Sequence, residues 1–471
     1  MSTDSLTAEA KRENAAALAA ALGTSLSEAA TALDLCILIT ADPADVVAQH
    51  VARETSLLLA RTVRCSSAVG NHEAIAAELI VGSRGSRTRG PRVYVDVRSD
   101  CAVIGRDVNP VAPCAEVPKI LGLLVACYAS AAVLHHALRG ALTLGLPEPL
   151  IVKYAQFGVR LSALAQPVAL GRAYLAGAGA IGNGLLWAAR YLDIRGQLDI
   201  VDDDRVSSGN LNRQIWFDTD DIGQPKVDRL AARAQPLVPL LKLVPRQSRI
   251  QDLAEKSEGR WLERLIVAVD SRRARRALQN EFPGEVFDAS TTDIREIVVH
   301  HNVQPTSAAC LSCIYEPDQE ETSREQHIAD HLGVSVEAVR SERISAASAQ
   351  VIAARYPALS ASELVDIAYD SLFKRLCAES ALQTLEGKRV VAPFAFVSVL
   401  AGTVLALELV RRQAGEPPAN DNYWRLSPWH PPFSRRRTLR PRQQNCAFCG
   451  NATLRRVNES IWRDRRLEQS K

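Results

Sequence analysis

Three glycines, Gly177, Gly179 and Gly182, follow a short apolar run, Ala173-Tyr174-Leu175-Ala176, and precede a stretch of helical pattern. A strand that runs into such a turn and then into a helix lets backbone amides approach a phosphate at the positive helix end. Asp202 comes about 20 residues after Gly182 and closes the run Gln197-Leu198-Asp199-Ile200-Val201, where a carboxylate can accept from ribose hydroxyls. Nicotinamide oxidoreductases share these features, so by themselves they point to a nucleotide and not to a reaction.

The chemistry narrows over Asp202-Asp203-Asp204-Arg205-Val206-Ser207-Ser208-Gly209-Asn210-Leu211-Asn212-Arg213-Gln214. Gly223-Gln224-Pro225-Lys226 follows, and then an apolar run, Leu265 to Val269, that ends in Asp270. Hydride transfer requires none of this. A carboxylate that attacks the α-phosphate of ATP needs the charge of a crowded polyphosphate neutralised, and Asn, Arg, Gln and Lys around one pocket do that. Singly, each Arg or Lys reads as a solvated charge and each Asp after a strand as a helix cap. The ordered set reads as nucleotidyl transfer.

Here the sequence resembles the ThiF/MoeB and ubiquitin-activating (E1-like) family. The family's pattern is D-x-D-x-V-x-x-S-N-L-x-R-Q, then G-x-x-K, then a strand ending in Asp. The resemblance implies that Gly177, Gly179 and Gly182 receive the nucleotide, that Asp202 holds the ribose and that Asp204 belongs to the same set. It places Asn210, Arg213 and Gln214 on the phosphates, Lys226 on the α- and β-phosphates, and Asp270 on magnesium. Gly209 departs from the pattern, which commonly has Ser.

The implied activity is adenylation, with ATP and Mg2+, of the C-terminal carboxylate of a ubiquitin-like protein. A conjugating enzyme is then a downstream partner, and bacterial conjugation or antiviral defence the setting. Adenylation of a sulfur-carrier protein or a peptide is the alternative, against which the long insertion Glu316 to Lys388 argues. An inactive scaffold is disfavoured by the intact Arg213, Lys226 and Asp270.

Cys310-Leu311-Ser312-Cys313 and Cys446-Ala447-Phe448-Cys449 supply four thiolates, the ligand set of a closed tetrahedral Zn2+ that fastens structure and leaves no place for water. The family has such pairs flanking its crossover loop and last helix in this order. With these four assigned, Cys377 is the remaining thiol in the half that bears the nucleotide motif. Lys374 and Arg375 would lower its pKa if they face it. It reads either as the acceptor of a thioester or as a buried apolar residue beside Leu372 and Leu376. Cys36, Cys65, Cys101, Cys114 and Cys127 read as structural, and His300-His301 as a satisfied strand end.

These residues need elements to position them. Strand, helix, strand recurs from Gly171 onward, which predicts an α/β fold with a Rossmann-like, doubly wound sheet. A helix is expected from about Asn183 to Leu192 and another from Phe396 to Arg412. Residues 1–150 alternate Ala-rich helical patches with runs such as Leu35 to Ile39 and Val93 to Val97, and lack the phosphate motifs. They read as a second, degenerate α/β domain. The expected order is this inactive adenylation-like domain (1–150), the active domain (151–315), a helical insertion (316–390), and the return with the last helix and zinc knuckle (391–471).

A net charge of +3 over 471 residues selects neither nucleic acid nor an anionic membrane. Ile120 to Leu134 and Val397 to Val410 fall short of the roughly 20 apolar residues of a membrane span and read as buried helices. Met1 to Ala20 reads as a surface helix without the apolar core of a secretory signal. Gly82 to Gly90 and Arg435-Arg436-Arg437 read as solvated basic surface. Cysteines in metal-type pairs and singles suit a reducing cytoplasm. Relatives insert an arginine from an opposing subunit or domain; Arg12, Arg160 and Arg172 are the candidates here. A homodimer of active domains is open.

Overall fold

The computed structural model describes residues 6–463 apart from 69–73, 84, 110–115, 140, 143, 259–260, 293, 318, 342, 366, 370–371, 374–375, 377–392, 414–420 and 434–435. Cys114, Lys374, Arg375 and Cys377 lie outside the described residues. Two compact units form: Met1–Tyr315 with Val391–Lys471, and Glu316–Val390.

The larger unit carries two sheets. The first has strands β1 (Cys36–Ala41), β2 (Arg64–Ser66), β3 (Ile75–Val81), β4 (Arg92–Val97), β5 (Cys101–Gly105) and β6 (Leu150–Lys153), in the order β2-β1-β3-β4-β5-β6. β2, β1, β3 and β4 are parallel, and β5 and β6 extend the sheet antiparallel. The second has β7 (Val168–Ala176), β8 (Ile194–Val201), β9 (Leu241–Arg246), β10 (Arg264–Val267), β11 (Glu285–Thr292), β12 (Glu296–Val303), β13 (Tyr423–Leu426) and β14 (Arg437–Thr438). Its order is β14-β13-β12-β11-β10-β7-β8-β9, parallel from β9 to β11 and antiparallel beyond. β7 lies between β8 and β10, so the direction of winding reverses there, and the crevice at the carboxyl ends of these strands is where such sheets take ligands.

Both long apolar stretches are buried helices, Lys119–Ala137 and Ala395–Gln413. Lys119–Ala137 alone among the described helices has the length and hydropathy of a membrane span, and 89% of it is buried within the protein. Ala395–Gln413 packs on the helix Ala180–Ala189, on Lys119–Ala137 and on β11. A side chain at Gly402 would fall on the Gly184 backbone, so two glycines permit this helix crossing. Glu54, fully buried, joins the two sheets' helices by accepting from Trp187 Nε1 (2.8 Å) and Tyr191 OH (2.7 Å) and pairing with Arg190 (3.3 Å).

The structure corrects or refines five local expectations. The N-terminal helix, Ala8–Leu22, is a surface helix on one face only: Ala8, Glu9, Lys11 and Arg12 are exposed, while Ala10 and Asn14 to Leu18 are buried, because alanines let that face lie close on Leu26–Leu33 and Ser208–Asn212. The glycine-turn helix starts at Ala180 because Gly179 serves as its cap. His300 and His301 lie within β12, with His300 bonded to Ala309 O and His301 to Glu285. Arg437 is no solvated charge: it lies 3.9 Å over the Trp424 ring and pairs with the buried Glu408. Gly82 to Gly90 also has structure, since Ser86, Arg87 and Thr88 donate to the fully buried Glu78.

The unit Glu316–Val390 has the described helices Gln319–Leu332, Val336–Arg340, Ala346–Arg355 and Ala361–Leu364. Ile328, Leu332, Ile352, Tyr369, Leu372 and Phe373 belong to a core of its own.

Candidate functional site

β7 ends at Ala176 and the chain turns at Gly177, whose φ of +104° L-residues rarely adopt and where a Cβ would meet Ala268 O at 2.8 Å. Gly179 caps the following helix and has nothing within 4 Å of where a Cβ would stand. Open space therefore lies at the positive end of the helix. Asn183, fully buried, ties the turn down by donating to Ala178 O (2.9 Å) and Gly179 O (3.0 Å). Its side-chain oxygen accepts from Trp216 N (3.1 Å), just beyond Gln214.

Asp202, after β8, accepts from Ala178 N (2.7 Å) and Asp204 N (2.8 Å), so the carboxylate is latched to the glycine turn. Burial raises its pKa, against the pull of Lys226. Lys226 opens the helix Lys226–Ala234, an unfavourable place for a cation by the helix dipole. It is held there by Asp204, 2.7 Å away, and by the Asp204 carbonyl, which takes the Lys226 amide (3.0 Å). Burial opposes the charge on Lys226, but Asp202, Asp204 and Asp270 outweigh it and raise the pKa. The lysine is an ammonium at any physiological pH.

Ser207 N donates to Asn210 Oδ1 (3.2 Å), which leaves the amide nitrogen as the end of Asn210 suited to a phosphate. Arg213 donates to Gly209 O (3.2 Å) and Asn212 Oδ1 (2.8 Å). Burial lowers its pKa, with Glu13 and Asp270 acting in the opposite sense. Asp270, three residues beyond β10, thus acts electrostatically on both Arg213 and Lys226. Gln214 is buried, and its Oε1 has no hydrogen-bond partner among the described residues. Two cations and a glycine edge open to space suit the phosphates of a nucleotide, whereas the free Gln214 oxygen, an acceptor, suits a hydroxyl or amino donor and not the phosphate expected for it.

At the far end of the sheet Cys310, Cys313, Cys446 and Cys449 converge, all buried. Cys310 Sγ lies 3.7 Å from Cys313 Sγ, 3.8 Å from Cys446 Sγ and 3.4 Å from Cys449 Sγ. Four thiolates about 2.3 Å from a tetrahedral zinc stand about 3.8 Å apart, so these residues fit that ion. Gln443 N and Cys449 N donate to Cys313 and Cys446 Sγ, the outer hydrogen bonds that orient thiolate ligands.

The profile of the ThiF family matches residues 164–448, well over half of the chain. The chain belongs to the ThiF family. The E1 N-terminal domain profile matches residues 7–160, which carry the first sheet. An uncharacterized protein of Sinorhizobium fredii is 31% identical over 53% of this chain and 50% of its own length. The NEDD8-activating enzyme E1 catalytic subunit of Arabidopsis thaliana is 38% identical over 17% of this chain and 18% of its own. The sulfur carrier protein ThiS adenylyltransferase of Escherichia coli is 29% identical over 37% of this chain and 63% of its own. The chain spans half of the Sinorhizobium protein and less than two thirds of the other two.

Within the ThiF region the structure gathers Gly177, Gly179, Gly182, Asp202, Asp204, Asn210, Arg213, Gln214, Lys226 and Asp270 along one sheet edge, at the ends of β7, β8 and β10 and in the loop after β8. Sequence reasoning missed Asn183, Asn212, Asn14 and Arg61. Asn14 had a signal: on a helix it shares a face with Ala10, Ala17 and Leu18, a lone amide among apolar neighbours. Of the candidate arginines, Arg172 pairs with Asp199 and Glu255, away from the ThiF cradle. Arg160 lines a cleft with Gln166 and Val410, and Arg12 lies exposed on the N-terminal helix.

Proposed function

We propose that this ThiF-family chain uses ATP to adenylate the C-terminal carboxylate of a ubiquitin-like protein. The observation that carries this reading is the convergence of Lys226 and Arg213 with Asp202, Asp204 and Asp270 beside the open edge at Gly179. In the reaction the carboxylate oxygen bonds to the α-phosphorus, the bond from that phosphorus to the bridging oxygen breaks, and pyrophosphate leaves. Lys226 and Arg213 neutralise charge on the polyphosphate, and Asp202 holds the ribose. Asp270 would hold magnesium, which screens the phosphate charge when bound. The match of residues 7–160 to the E1 N-terminal domain favours a ubiquitin-like substrate and a pseudo-adenylation role for the first sheet, over sulfur-carrier or peptide adenylation.

In this reading the four cysteines hold a structural zinc, and Cys377 takes the acyl group as a thioester with release of AMP. A conjugating enzyme receives it, in cytoplasmic antiviral conjugation. ATP–pyrophosphate exchange, measured with each small ubiquitin-like protein encoded beside this one, tests the first step. Exchange with none of them and retention of nicotinamide nucleotide instead would sink it. Cys377→Ala tests the second: a thiol-sensitive adduct should vanish while exchange persists.

A further inference from the structure

We infer that Asn14, on the N-terminal helix, is a positioning residue for the nucleotide site and sets the direction of the Arg213 guanidinium through Asn212. The N-terminal helix lies across Ser208–Asn212, and Thr7 at its cap donates to Ser208 O at 3.0 Å. Asn14 and Asn212 are both fully buried. Asn14 Nδ2 donates to Arg61 O at 2.7 Å, and Asn14 Oδ1 accepts from Asn212 Nδ2 at 3.0 Å. Asn212 Oδ1 in turn accepts from Arg213 at 2.8 Å.

The polarity of this chain is forced. A backbone carbonyl only accepts, so Arg61 O fixes the nitrogen end of the Asn14 amide, and the oxygen end must then face Asn212. Asn212 can meet that oxygen only with its nitrogen, which leaves its own oxygen for the guanidinium, a group that only donates. Turned over, Asn212 would oppose donor to donor at Arg213 and acceptor to acceptor at Asn14. Arg61 is itself anchored to the same loop, donating to Leu211 O and Ile215 O at 2.8 Å each. Asn14 and Arg61, bonded to each other, thus both hold the loop that carries Arg213.

The role given to Arg213 rests on the adenylation reading; the relay does not. Calorimetric titration of the full chain with magnesium-ATP, and separately with AMP, tests both. Asn14→Ala should weaken ATP binding about tenfold, the effect of a lost buried hydrogen bond, and leave AMP binding within about twofold. Asn14→Asp keeps an oxygen facing Asn212 and, buried, takes the neutral acid form whose O–H donates to Arg61 O in place of the amide; it should bind ATP within about threefold of the parent. Equal weakening for ATP and AMP, or equal loss in both variants, overturns the inference by reducing Asn14 to a structural residue. Should Asn14→Ala fail to fold, a tenfold loss of ATP binding in Asn14→Asp overturns it. A parent chain that takes up AMP and ATP equally sinks the reading of Arg213 instead.

Discussion

The ammonium of Lys226 rests 2.7 Å from the Asp204 carboxylate while it heads a helix whose positive pole repels it. That arrangement holds a cation in place before any phosphate arrives, so little reorganisation is left for the reacting state.

Removing either cation should therefore act on turnover far more than on folding. Lys226→Ala and Arg213→Ala are each expected to lower ATP–pyrophosphate exchange about 10²- to 10³-fold, the range for one lost donor to a developing charge. If the double variant exchanges at the parent rate, the cradle is not the site.

The four-cysteine cluster should bind one zinc per chain, measurable by atomic emission on native protein. Cys446→Ser should lower that content and expose the helix Ala452–Ile461 to protease, since such sites contribute roughly 10 kcal/mol of binding energy. Native protein that is folded and contains no zinc contradicts the assignment.

Acid should destabilise the larger unit in two stages. Burial pushes His300 down to about 3, with His301, Arg275 and Arg412 acting in the same sense and the Ala309 carbonyl against it. The unfolded chain then binds the extra proton below the usual 6.5, and stability falls by about 1.4 kcal/mol per pH unit from there toward 3. Burial raises Glu285, but His301 and Arg264 outweigh it and hold it at about 2, so its contribution is present above 4.5 and is lost between 4.5 and 2. Melting temperatures at pH 7.5 and 5 should differ less for His300→Asn than for the parent. An equal difference would remove His300 as the cause.

The helix crossing at Gly402 leaves no room for a methyl group, which would fall on Gly184. Gly402→Ala should cost at least about 1–3 kcal/mol by overpacking, read as a lower urea midpoint at unchanged slope. A midpoint equal to the parent's would show that the helices separate at little cost.

The gathering of Gly177, Gly179, Asp202 and Asp270 was legible because strand, glycine turn and acid sit close in sequence, and local order alone puts them at adjacent strand ends. The cysteine pairs were legible for a similar reason: two residues between thiols make a knuckle wherever the pair lies. The pairing of β12 with β13 in the second sheet was not, since strands that pair across more than a hundred residues leave no periodic mark. Nor was the use of Asn14, which lies 198 residues from its partner Asn212.

Residue order thus determined the family, the doubly wound sheet and which side chains gather at the ends of its central strands, because each depends on contacts within one strand-turn-helix unit. Tertiary structure alone decided that the Ala-rich N-terminal helix buries one face and that its lone buried amide steers an arginine. It decided too that Arg437 is a buried ion-pair partner. Those outcomes rest on the burial of polar groups, which must find a donor or acceptor wherever the folded chain brings one.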